Sequence, residues 1–151
     1  MILIIISFIL LSIFYFTVNQ SSEDETNHKG YRTDKKPLMD RFPGLGNFIE
    51  CYWEAEKIGV DTLFSPPAPS SYWMKGYVIL EKEVFNDFKK KYKWDLMDRE
   101  WRPSFHVDAI SIESPNWGFS NEFNNYIKTA SFMGEFYLEF NNGIIYFEVV
   151  R

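Results

Sequence analysis

The side chains with chemistry to offer are few: His28 and His106, the single cysteine Cys51, and the glutamates Glu50, Glu54 and Glu56. His106 and Asp108 form a His-x-Asp pair, and on a strand both side chains would point to one face. Such a pair can begin a metal site, but a third and fourth ligand must come from elsewhere. A surface or strand-edge pair is the simpler reading. Cys51 would be a nucleophile only with a base beside it and a depressed pKa. It alternates with Ile49 and Trp53 on an apolar face, so it reads as a small buried hydrophobe. Glu50, Glu54 and Glu56 share the opposite face. Paired carboxylates can work as acid and base, yet any solvent-facing strand produces the same alternation.

The sequence contains no P-loop, no Gly-x-Ser-x-Gly elbow, no His-Glu-x-x-His and no Cys-x-x-Cys. Pro43-Gly44-Leu45-Gly46 is glycine-rich but follows no clear strand, and reads as a turn. His28 falls in a polar stretch and reads as solvated. The five tryptophans, Trp53, Trp73, Trp94, Trp101 and Trp117, read as core or cover. Lys89, Lys90, Lys91 and Lys93 suit a helix end, with contact to anionic lipid as the functional alternative. We therefore expect no catalytic residues, no cofactor and no metal.

The elements that would position these residues divide the 151-residue chain into three parts. Residues 1–18 are almost purely apolar, interrupted by Ser7, Ser12 and Thr17. As a helix, Ile2 to Val18 spans roughly 26 Å, a little under the ~30 Å hydrocarbon core, and the flanks can absorb the difference. A cleaved signal would need a basic n-region and a small-x-small site. Neither is present, so an uncleaved transmembrane anchor is expected. Residues 19–41 read as a polar tether and 42–151 as a globular domain. The four bases between Lys29 and Lys36 point the domain toward the cytoplasm by the positive-inside rule. The acidic Glu23-Asp24-Glu25 and the leading apolar run argue for export, which we favour; the expected location is periplasmic.

The formal charge is −5, and all of the surplus lies beyond residue 36, where 17 acids face 12 bases. An acidic domain repels phosphate backbones, which argues against nucleic-acid binding. Of 29 aromatic residues, 24 lie between Phe42 and Phe147. Each carries a buried area of about 150–250 Å², so the domain needs no disulfide.

The strongest local pattern is C-terminal. Phe132 to Phe140 and Ile144 to Val150 flank Asn142-Gly143, a pair suited to a type I′ hairpin. A two-residue loop would pair Phe140 with Ile145, Leu138 with Phe147 and Phe136 with Val149. One face is then wholly apolar, and the other carries Glu135, Tyr137, Glu139, Tyr146 and Glu148. Tyr72 to Leu80 reads as a strand, entered from a proline-rich loop at 65–71. Glu83 to Lys93 reads as a helix with Val84, Phe85, Phe88 and Tyr92 on its apolar stripe. Ile49 to Ile58 fits a half-buried strand better than a helix. His106 to Ile112 is a further candidate strand. Ser120 should cap a short helix to Lys128, with Phe123, Tyr126 and Ile127 inward. The sum is an α+β domain: a small antiparallel sheet with one or two packed helices.

These observations imply a membrane-anchored protein-binding module of the bacterial envelope, on the design of an immunity protein or inhibitor that neutralises a toxin. Glu135, Tyr137, Glu139, Tyr146 and Glu148 would be its docking face for a basic protein partner. The alternative is a non-catalytic accessory of an envelope complex.

Overall fold

Four runs rich in apolar residues become the long strands of one sheet. In the computed structural model, which describes residues 30–58 and 71–151, these are β1 (Phe48–Lys57), β2 (Tyr72–Leu80) and the hairpin β5 (Met133–Glu139) and β6 (Ile144–Val150). Two short strands, β3 (Asp95–Leu96) and β4 (Trp117–Phe119), complete a six-stranded sheet of order β1-β2-β6-β5-β4-β3, antiparallel throughout. With helices α1 (Lys36–Arg41), α2 (Lys82–Lys91) and α3 (Asn121–Ile127), the fold is α+β. Among the described residues no helix is long and apolar enough to cross a membrane. The apolar segment 2–18, His28 and most of the proline-rich loop lie outside the described residues.

The helices cover one face of the sheet. Leu38 of α1 and Phe42 at its C-terminal end, Leu45 in a 3-10 turn at Pro43–Leu45, Phe88 of α2 and Phe123 and Ile127 of α3 pack on Cys51, Trp53, Met74, Val78, Phe136, Leu138, Ile145, Phe147 and Val149. Ser120 caps α3 as its sequence predicts, its Oγ accepting from Phe123 N–H at 3.2 Å. Tyr126, expected inward, is half exposed, and Asn124 is buried in its place. The Asn124 side chain imitates a strand. It donates to Phe136 C=O at 2.9 Å and accepts from Phe136 N–H at 2.8 Å, tying α3 to β5.

Other expectations need correction. The tether does not extend to residue 41, because Tyr31 is buried and Arg32 exchanges two backbone hydrogen bonds with Trp53, at 2.7 and 2.9 Å. Pro37 then opens α1, which buries Leu38 completely. A single leucine among charged residues gives no periodicity, so this element was invisible to pattern. The segment shields part of the outer edge of β1, where an open strand would invite foreign pairing. Second, Ile49 is exposed and Phe48 is buried, because a bulge between Phe48 and Glu50 shifts the β1 register. Third, His106 to Ile112 forms no strand. It belongs to an irregular segment, residues 97–116, that lies over the second face of the sheet and buries Phe105 and Val107 against Tyr77, Trp117, Ile144 and Tyr146.

The C-terminal hairpin forms, but two residues out of the expected register. Glu139 pairs with Ile144, Leu138 with Ile145 and Phe136 with Phe147, leaving a four-residue connection, Phe140 to Gly143. Asn142 does not adopt the positive φ a type I′ turn requires, and only Gly143 does, at +67°. Gly143 N–H closes the turn on Glu139 C=O at 3.1 Å. A shift of two preserves which residues share a face, so the apolar side still meets the helices.

Candidate functional site

The face opposite the helices is where the sequence placed its candidate residues, and register organises it into two rows. Tyr52, Tyr77, Tyr146 and Tyr137 stand opposite one another across β1, β2, β6 and β5. In the next row Glu54 pairs with Lys75, Lys75 with Glu148 and Glu148 with Glu135. The 97–116 segment roofs the middle of the tyrosine row. Phe105 stacks on Tyr77 at 5.8 Å, and Tyr77 O–H donates to Phe105 C=O at 2.5 Å. Trp101 rests on Tyr137 at 4.4 Å and on Tyr146 at 6.2 Å.

The roof splits the expected docking face. Tyr146 is 2% exposed and Glu139 is wholly buried, so neither offers surface to a partner. Glu135 and Glu148 remain exposed and Tyr137 half-buried, and the structure brings these three together. Tyr137 O–H donates to Glu135. Tyr146 O–H donates to Glu148 Oε2 at 2.8 Å, and the Ser104 hydroxyl donates to the same oxygen at 3.1 Å. Burial first, then the carboxylate partner, raises the Tyr137 phenol above its ordinary range. Burial also raises Tyr146, assisted by Glu148 and opposed by Ser104. Both phenols therefore stay protonated at neutral pH and act as donors to the two carboxylates.

Glu135, Tyr137 and Glu148 line a depression of about 490 Å³ together with Phe119, Asn125 and Lys128. Lys128 donates to Gly134 C=O at 2.7 Å. Sequence reasoning missed Ser104, Asn125 and Lys128, since no local pattern shows that a loop and a helix end flank the hairpin. Glu135 and Glu148 face each other directly, and among the described residues neither forms an ion pair with a base. Lys75, opposite Glu148 in register, bridges Glu54 instead at 3.2 Å.

The other candidates stand apart from this depression. Cys51 is buried, its thiol donating to Thr33 C=O at 3.3 Å, and burial together with Asp34 pushes its pKa to about 12. At neutral pH it is a thiol, not a thiolate. His106 and Asp108 approach to 3.5 Å on the loop, both largely exposed. His106 lies on the rim of a second cleft of about 380 Å³, lined also by Tyr77, Arg102, Phe105 and Trp117. Among the described residues no three His, Cys, Asp or Glu side chains converge to hold a metal ion. Glu50 accepts from Tyr52 O–H at 2.8 Å, and Glu54 is taken up by Lys75.

Comparison with protein families, with characterised proteins and with solved structures found no match to this chain.

Proposed function

We propose that this chain is a membrane-anchored protein-binding module of the bacterial cell envelope, docking a basic partner on the Glu135–Tyr137–Glu148 surface. An immunity protein that neutralises a basic toxin is the specific form of this reading. One observation carries it: two exposed carboxylates stand directly opposite each other on paired strands, and among the described residues no base bridges them. Like charges so placed cost the sheet stability. A lysine or arginine from a partner would relieve that repulsion and gain two carboxylates already oriented by phenol donors. Tyrosine beside carboxylate suits such an interface, since the ring supplies contact area and the charge speeds encounter. The apolar segment 2–18 would hold the module at the membrane, with the folded domain in the periplasm.

The test uses the full chain in lipid nanodiscs and, as analytes, the basic proteins encoded beside its gene. Replacing Glu135 and Glu148 by glutamine should slow association about tenfold at low salt and flatten its salt dependence. An unchanged association rate in the double variant would remove the docking surface. Extraction of the full chain from vesicles by alkaline carbonate would remove the anchor. Alkaline phosphatase fused after Arg151 reports the compartment.

A further inference from the structure

The helical layer carries a second charged surface of opposite sign. Lys89, Lys90, Lys91 and Lys93 cluster at the C-terminal end of α2. A helix C-terminus carries about half a negative elementary charge, so one lysine would satisfy it and the rest are surplus. Among the described residues no carboxylate bridges any of the four. Two of them lie over aromatic rings. Lys89 Nζ is 5.6 Å from the ring centres of both Phe85 and Phe140. Lys91 Nζ is 5.3 Å from Tyr92 and 4.7 Å from Tyr126. The Tyr92 and Tyr126 rings are themselves 5.8 Å apart, and Tyr126 is 50% exposed. We call this surface a plate: half-exposed rings beside the ammonium groups of Lys89 and Lys91, with exposed Lys90 and Lys93 adjacent in sequence.

We infer that this plate docks on the anionic headgroup layer of a phospholipid bilayer. The inference rests on the membrane anchorage proposed above and adds an orientation to it. Ammonium groups meet lipid phosphates, while tyrosine rings sit favourably at the headgroup level. A nucleic-acid strand fits less well: it would run beyond the plate onto a chain of net charge −5, whereas a planar membrane need meet only this side. Docked by α2, the domain turns the opposite sheet face, with Glu135 and Glu148, away from the bilayer.

The experiment is lysine acetylation footprinting of the full chain in nanodiscs of phosphatidylcholine with and without phosphatidylglycerol. Lys89, Lys90, Lys91 and Lys93 should be protected severalfold in the anionic discs and released by high salt, while Lys75, on the opposite face of the sheet, reacts equally in both. Glutamine at Lys89 or Lys91 should weaken docking about fivefold per site. Equal acetylation in both discs, with the chain still co-eluting with lipid, overturns the inference and leaves the anchor standing. Loss of co-elution overturns the anchor instead. Flotation of the released chain with phosphatidylglycerol vesicles but not phosphatidylcholine vesicles then supports the plate, and flotation with neither overturns it. Binding of a labelled polyuridine strand without lipid protection also overturns it, assigning the plate to nucleic acid.

Discussion

A carboxylate with no exposed surface ordinarily needs a cation, and Glu139 is held instead by four N–H donors. Asn116 N–H reaches Oε1 at 2.9 Å, while Asn141 N–H, Asn142 N–H and the Asn142 side-chain amide reach Oε2 at 3.0, 2.7 and 2.9 Å. The glutamate thereby organises the whole connection between β5 and β6. Glutamine at this position would turn an N–H₂ group onto one of those donors. Glu139→Gln should therefore lower stability by about 1–3 kcal/mol, read as a reduced urea midpoint at unchanged slope. A midpoint equal to the parent's would mean that the carboxylate does not hold the turn. Alternation alone places Glu139 on a solvent face beside Glu135, and pattern cannot reveal that a neighbouring strand's loop closes over one and not the other. Cys51 was easier to read, because an apolar residue between Ile49 and Trp53 has one sensible side, even though the bulge sent Ile49 itself outward.

Among the elements, the hairpin shows what period-two patterning can and cannot specify. It fixes register to the nearest even step, since odd slips exchange faces and even slips do not. The Asn-Gly pair suggested the tighter turn, and the hydrogen-bonding demand of Glu139 selected the wider one. Helix α3 was legible from Ser120 and Phe123, whereas the burial of Asn124 was not, because its role depends on a strand twelve residues away. Asn124→Leu would leave both backbone groups of Phe136 without their partner and should cost about 2–4 kcal/mol. Thermal or urea unfolding measures it, and a loss within error would place the α3–β5 link elsewhere. The 97–116 segment was misread in part as a strand because Phe105, Val107 and Ile110 supply an apolar pattern without a partner strand. Its hold on the sheet depends on Phe105. Phe105→Ala should speed trypsin cleavage after Arg99 while the far-ultraviolet dichroism of the sheet persists. Equal cleavage in both proteins would show that the roof is held by other contacts.

For the molecule as a whole, α+β class, the four long strands and two of the three helices were legible, because each has its own periodicity or cap. The sheet order was not, since β6 pairs with β2 across more than sixty intervening residues. The tyrosine row follows from that order and has a measurable consequence at high pH. Burial, or a carboxylate acceptor, raises Tyr77 and Tyr52 from 10.0 to about 12 and raises Tyr137 and Tyr146 as well, while burial raises Cys51 from 9.0 to about 12. Each group binds its proton more tightly folded than unfolded. The stability they contribute is therefore complete below pH 9 and drains as pH climbs through 9 to 12. Chemical unfolding across that range should show a steady fall, and tyrosinate absorbance should lag in the folded protein behind the urea-unfolded chain. Coincident titration curves would mean that the roof of 97–116 does not exclude water from the row.

The position of β6 has a further effect, on the timing of synthesis. It is the last described strand, yet it lies between β2 and β5, so without it the sheet is two separate pieces, β1-β2 and β5-β4-β3. A nascent chain cannot close its core until Ile144 to Val150 have cleared the ribosome, and pairings this distant in sequence close slowly. Until then β2 and β5 each keep an open edge to whatever strand arrives first.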